Sequence, residues 1–183
     1  MKTSCIIVDN FYNNVDTVRN LALSSDFNVE GNYPGKRTIP FINDSTKATI
    51  ERIMVTHGGR VVDWSESSGY TGAFQYCTEE DSTWIHVDGF NGWAAVCYLT
   101  PNAPTNSGTA LYKHKPTNLY SSSTNDGFDP YREEEWEMTD YISNRYNRLV
   151  IYPGSYFHKA AGYFGSDKYN GRLFQTFFFN TEY

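Results

Sequence analysis

Cysteine is scarce in this chain of 183 residues: Cys5, Cys77 and Cys97 are all it has, an odd count without CxxC spacing. That excludes a disulfide framework and a zinc ribbon, and predicts reduced, mostly buried thiols in a reducing compartment. Long apolar runs are lacking as well. The run at Cys5–Val8 is too short for a secretory signal, and no stretch approaches the roughly 20 residues that cross a bilayer. The expectation is a cytoplasmic protein without membrane contact. Asn43-Asp44-Ser45 matches a glycosylation acceptor, but without a secretion signal it reads as chance. Nor is there an excess of basic charge: 15 Lys and Arg stand against 21 Asp and Glu, a net −6. A sequence-independent grip on nucleic acid needs the opposite balance, so nucleic acid is not an expected partner.

Aromatic residues are abundant, at 17% of the chain from 15 Tyr, 12 Phe and 4 Trp. Disordered chains are poor in such residues. A chain of this length buries about 70% of its unfolded surface, enough for a core without staples. The length fits one domain, expected over 1–183, with residues 1–59 as a helical support and 60–183 as a β core. Cys5 to Val8 reads as a strand. Val15, Val18, Leu21 and Ala22 recur at helical spacing behind Asn13 and Asn14 as caps. A second helix is predicted over 45–57, with Ile50, Ile53, Met54 and His57 on one face and Gly58-Gly59 as its stop. Asn32-Tyr33-Pro34-Gly35 is a turn. Beyond Arg60, eight short runs rich in Val, Ile, Tyr, Phe and Trp read as strands: 60–66, 72–77, 83–88, 93–100, 108–114, 148–153, 155–163 and 171–180. Strands at this spacing point to a mostly-β jelly roll, with the helices packed on one outer sheet. Residues 115–147, polar and holding Glu133-Glu134-Glu135, read as a mobile insertion that serves as a lid.

The chain has four histidines. His57 suits a helix C-terminus, and His114, between Lys113 and Lys115, is expected to be exposed. His86 differs. In Trp84-Ile85-His86-Val87-Asp88, strand alternation puts Trp84, His86 and Asp88 on one face. An imidazole and a carboxylate projecting side by side can be two ligands of one metal, or simply a hydrogen-bonded pair. In a jelly roll, His158 on a late strand can complete two histidines and one carboxylate. That set leaves coordination positions open and is the usual signature of non-haem Fe(II) oxygenases; zinc accepts it too. Arg172 opens the apolar run Leu173–Phe179. A guanidinium in such a setting needs a partner, either a protein carboxylate or the carboxylate of a ligand.

In this order and spacing, His86-Val87-Asp88, His158 and Arg172 resemble the Fe(II)/2-oxoglutarate-dependent dioxygenases. Cys97-Tyr98-Leu99-Thr100 and Ser107-Gly108-Thr109-Ala110-Leu111-Tyr112 resemble two strands of the prolyl 4-hydroxylase-like branch. The similarity spans about 72–180, and the N-terminal part resembles small phage and bacterial members. The resemblance implies a double-stranded β-helix, the cupin-like jelly roll. It implies His86, Asp88 and His158 as iron ligands and Arg172 as the binder of the distal carboxylate of 2-oxoglutarate. It also implies Tyr98 as support for that carboxylate and Tyr76 as a further co-substrate tyrosine. Phe174 stands where many relatives have Ser, Thr100 where the family strand has Asn, and Ser107 where it has Gly.

The implied function is hydroxylation of a small-molecule or peptide substrate with Fe(II), 2-oxoglutarate and O2, releasing succinate and CO2 in the cytoplasm, or in the host cytoplasm if a phage encodes the chain. Two alternatives stand beside it: a non-catalytic jelly-roll module binding carbohydrate or another ligand, and a zinc or manganese cupin-type enzyme. Substrate and oligomeric state are not readable from the residues.

Overall fold

Short apolar and β-branched runs pair here into two antiparallel sheets, described by a computed structural model for residues 3–89 and 91–183. Met1 and Lys2, which precede the N-terminal strand, lie outside that range. In chain order the elements are β1 (Ile6–Val8), α1 (Val15–Ser24), β2 (Lys36–Pro40), α2 (Asp44–His57), β3 (Arg60–Asp63), β4 (Ala73–Cys77), β5 (Trp93–Tyr98), β6 (Thr109–His114), β7 (Trp136–Ile142), β8 (Leu149–Pro153), β9 (His158–Ala160) and β10 (Arg172–Glu182). The large sheet runs β1-β8-β5-β10-β4-β2, with β3 paired to the far end of β10; the small sheet runs β7-β6-β9. This is the expected mostly-β jelly roll.

The helices begin where the sequence caps them. Asn14 accepts from the Thr17 amide at 3.4 Å and Asn43 from the Thr46 amide at 2.9 Å, each satisfying a donor that the first helical turn leaves open. Asn43, the first residue of the glycosylation-like triplet, is thus a helix cap. Gly58 closes α2 by donating to Met54. Both helices pack on the outer face of the large sheet. Ala22, Ile50 and Met54 meet Phe74, Ala95, Leu149, Ile151, Leu173, Phe177 and Phe179 there. His57 is exposed in the last turn of α2, as suits a helix C-terminus.

Strand alternation sends the other residues of the same strands inward. Cys77, Ala94, Val96, Tyr98, Val150, Tyr152, Phe174 and Phe178 form a second cluster with Leu111 and Ile142 of the small sheet. A third cluster covers the outer face of the small sheet, where Phe128 packs on Trp136 and Phe157.

Several expectations change. β2 was not foreseen, because Lys36-Arg37-Thr38-Ile39-Pro40 has no apolar alternation; its pairing with β4 makes it a strand. The insertion at 115–147 contains β7, an edge strand with exposed residues from Glu137 to Tyr141, whose charges disguise it. The rest of that segment is tied to the body. Ser122 donates to Ser155 O at 2.9 Å, Phe157 to Tyr120 O at 3.1 Å, and Asn125 bonds both backbone groups of Val87. His114 is buried rather than exposed, with Nδ1 2.9 Å from Thr117 Oγ1 and its ring against Phe128 and Trp136. The cysteines are free, and burial pushes the Cys5 and Cys77 thiols up to about 11, as inert structural thiols should be. Among the described residues no helix is long and apolar enough to cross a membrane.

Candidate metal centre and co-substrate pocket

Residues 83–88 are extended but join the small sheet at one point. His86 and His158 exchange backbone hydrogen bonds of 3.0 and 2.9 Å as an antiparallel bridge. A bridged pair projects both side chains to the same face, so the two imidazoles lie side by side, with ring centroids 4.4 Å apart. Period-two alternation does the rest. Ile85 and Val87 sink into the third cluster, while His86 and Asp88 turn to the cavity. Asp88 is locked at depth by its amide, which donates to Gly154 O at 2.7 Å.

The three side chains converge. His158 Nε2 lies 3.4 Å from Asp88 Oδ2 and His86 Nε2 3.9 Å from Oδ1. One ligand atom from each residue lies within 4.8 Å of both others. Bonds of about 2.0–2.2 Å at right angles span about 3 Å between donors, so a small closing movement fits all three to one ion. The ring orientations suit this. His86 Nδ1 is held by Trp84 O at 3.0 Å and His158 Nδ1 by Tyr156 O at 2.8 Å. A carbonyl partner keeps the proton on Nδ1 and leaves the Nε2 lone pair for a metal. Burial, reinforced by His158, pulls His86 down to about 4, which favours the neutral imidazole that a metal would need. Burial works against ionising Asp88, but His158, His86 and Arg37 outweigh it and hold the carboxyl below its ordinary value.

Arg172 lies at the start of β10, opposite Cys77, and is 3% exposed. Its Nε donates to Ser107 O at 2.9 Å and its Nη2 to Gly108 O at 3.3 Å. Gly108 lets the chain at the end of β7 pass close by: a Cβ there would stand 1.9 Å from Ile142 O. Among the described residues no carboxylate pairs with Arg172. The guanidinium borders the same cavity of about 360 Å³ as His86, Asp88 and His158.

Tyr98 lies behind this arginine, its ring centroid 5.3 Å from the guanidinium carbon and its hydroxyl 2.7 Å from Thr109 Oγ1. Thr109, not Tyr98, borders the cavity. The assignment of Tyr76 needs correction. It precedes Cys77 and pairs with Leu173, so it points to the helix side of the sheet, where it meets Phe27 at 4.9 Å between ring centroids. A tyrosine of that parity in β4 cannot reach a co-substrate on the other face.

Other cavity residues escaped the sequence reading. Tyr33, Arg37 and Tyr70 come from the segment taken as support and from the loop before β4, and Gln75, Tyr152, Tyr163 and Thr176 from the sheet strands and the loop before β10. The parity of β10 was the available signal, since Arg172, Phe174, Thr176 and Phe178 share one face and all border the cavity. Nothing comparable marked Arg37. The N-terminal quarter is therefore more than a support.

Residues 1–134 match the family described as "Family of unknown function (DUF6445)". The chain belongs to this family. The match includes His86 and Asp88 and ends before His158 and Arg172. No curated protein matches the chain. Solved structures resemble it across nearly its whole length. HygX from Streptomyces hygroscopicus, with nickel and 2-oxoglutarate bound, is 10% identical with a TM-score of 0.59, over 100% of this chain and 84% of its own. A prolyl hydroxylase from Trichoplax adhaerens, in complex with a hypoxia inducible factor peptide fragment, is 13% identical with a TM-score of 0.56, over 97% and 83%. A Pseudomonas putida prolyl-4-hydroxylase is 15% identical with a TM-score of 0.52, over 99% and 94%. At these identities the shared property is the fold. This DUF6445 member thus has the jelly roll of the iron/2-oxoglutarate oxygenases, the superfamily that its motifs resemble.

Proposed function

We propose that the protein is a non-haem Fe(II)/2-oxoglutarate-dependent dioxygenase that hydroxylates a small molecule or a peptide side chain. One observation carries this reading: His86, Asp88 and His158 converge at one cavity that Arg172, without any carboxylate partner among the described residues, also borders. A metal-binding cupin needs the three ligands but has no use for such an arginine. A carbohydrate-binding module needs neither.

His86, Asp88 and His158 would hold the metal, two neutral nitrogens and one carboxylate, leaving positions for co-substrates. Iron(II) would supply the dioxygen-activating redox chemistry that no side chain in the cavity offers. Arg172 would take the distal carboxylate of 2-oxoglutarate in its planar fork. Ser107 O and Gly108 O hold that fork in place, and the Tyr98–Thr109 hydroxyl pair fills the space behind it. Tyr152, Phe174 and Phe178 border the site and exclude water, which strengthens every charge interaction inside. The balance is simple. One oxygen atom enters the substrate C–H bond as a hydroxyl, the other enters succinate, and C1 of 2-oxoglutarate leaves as CO2.

The test is an anaerobic titration of the metal-free protein with Fe(II) and then 2-oxoglutarate, followed by admission of oxygen. A weak visible charge-transfer band and succinate formation are expected. Metal binding without the band, or with no succinate on aeration, would return the site to a cupin-type enzyme or a binding module.

A further inference from the structure

Arg37 is a second buried cation on the cavity wall, 6% exposed and without a carboxylate partner among the described residues. Its geometry is that of a mounted binding group. The guanidinium carbon stands 3.8 Å from the ring centroid of Tyr33 and 4.5 Å from that of Tyr70. The two rings stand at 84° to each other with centroids 5.9 Å apart, so they hold the guanidinium from one face and one side and leave the rest of its outline for hydrogen bonds. One edge is used, since Nε donates to Gln75 Oε1 at 2.9 Å and Nη2 donates to the same oxygen. Gln75 is itself held, its Nε2 donating to Pro34 O at 2.6 Å. The protons of Nη1 and the second proton of Nη2 have no acceptor among the described residues.

Charge says what belongs there. A chain of net −6 surrounds this cavity with Arg37, Lys159 and Arg172, and with Asp88 as the sole described acid. If the oxygenase reading holds, a divalent ion and Arg172 are offset by Asp88 and the two carboxylates of 2-oxoglutarate. Arg37 and Lys159 are then left over, and of the two only Arg37 is buried. Asp88 acts on Arg37 only from beyond ion-pair contact; a buried guanidinium with no carboxylate against it is costly, and a ligand carboxylate would lower that cost. The space is limited, because about 360 Å³ must also accommodate 2-oxoglutarate.

We infer that Arg37, clamped by Tyr33 and Tyr70, is the substrate anchor, and that the substrate presents a carboxylate to it. The acid is either a free amino-acid-sized molecule or a carboxylate carried by a peptide. This inference rests on the oxygenase reading, but its test does not depend on turnover. Binding is read from Trp84, which borders the cavity, as fluorescence quenching in the metal-free protein, and again as perturbation of the anaerobic Fe(II)–2-oxoglutarate band.

The probes are N-acetyl-L-amino acids and their carboxamides in one arm, and end-blocked tripeptides with central Glu or Gln, Asp or Asn, in the other. At least one acid is expected to bind the native protein about tenfold to a hundredfold more tightly than its amide, the worth of one charge-assisted pair. The arm in which it appears identifies the source of the carboxylate. Arg37→Gln should abolish that preference and Arg37→Lys should retain part of it, with the 2-oxoglutarate requirement nearly unchanged in both. The proposal is overturned if no acid in either arm outbinds its amide. It is also overturned if Arg37→Gln raises the 2-oxoglutarate requirement as Arg172→Ala does, which would make Arg37 a co-substrate residue. The acid–amide comparison in the native protein decides the matter even if the Arg37 variants do not fold. Absence of the charge-transfer band would instead count against the oxygenase reading.

Discussion

The two faces of the large sheet are built from the same strands and do opposite work. On β10, Leu173, Phe177 and Phe179 face the helices, and their polar neighbour Gln175 is saturated by Tyr12 Oη and by Phe41 O and Gly72 O. One residue out of phase, Arg172, Phe174, Thr176 and Phe178 border the cavity. The outer face holds the fold by apolar burial and satisfied hydrogen bonds. The inner face carries Arg37 and Arg172, neither of them in contact with a carboxylate among the described residues. A protein tolerates such a face when a ligand completes it, so the contrast locates function on one side of a single sheet.

Substitutions should therefore separate by face. The largest effect is expected for His158→Ala, which removes one metal ligand and should bring succinate formation to background while the far-UV circular dichroism spectrum is kept; substantial activity in that variant would dissolve the distinction. Arg172→Ala should raise the 2-oxoglutarate requirement by about a hundredfold or more, from the loss of a buried charged partner worth about 3–5 kcal/mol. Its affinity for Fe(II), read by equilibrium dialysis, should change little, and Arg172→Lys should fall between.

Phe177→Ala probes the opposite face. It should cost about 3–5 kcal/mol of stability, seen in chemical denaturation, and leave the 2-oxoglutarate requirement of the folded protein unchanged. A sharper comparison pairs two tyrosines. Tyr98→Phe loses the bond to Thr109 and should cost about 1 kcal/mol with a modest rise in the 2-oxoglutarate requirement. Tyr76→Phe, on the helix side, should leave that requirement untouched; an equal effect at both would mean that the faces are not independent.

The smallest effect is expected away from both faces. Asp9 bonds Arg148 at 2.7 and 3.0 Å and Arg145 at 3.0 Å. The hydrogen bond from Arg148, more than the burial opposing it, holds its carboxyl below the ordinary value. A depressed folded-state value means stability that is present above the unfolded value of about 3.9 and lost as pH falls through the folded one. Asp9→Asn should therefore cost about 0.2–1 kcal/mol at pH 7, given its exposure. The difference from the native protein should vanish in thermal melts at strongly acidic pH.

Local pattern determined more of this protein than its irregular loops suggest. Helix spacing and Asn14, Asn43 and Gly58 delimit α1 and α2. Alternation alone places His86 and Asp88 on one side of an extended segment, because successive side chains of such a segment point opposite ways whatever it pairs with. The reach of His158 and Arg172 toward them was legible through resemblance to a family, since residues so far apart in sequence meet only through strand pairing. Tertiary structure decided the rest. Tyr76 and Gln75 are neighbours in one strand, and which of them faces the cavity depends on the side from which the small sheet covers β4. β7 and His114 were misread because edge strands and half-covered loops carry charge whether or not they are packed. Arg37 became a cavity residue only when β2 joined β4 and the turn at Asn32–Pro34 closed over Gln75. A charged residue in a polar segment looks like surface in the sequence, and only the burial that surrounding chains impose turns it into a binding group.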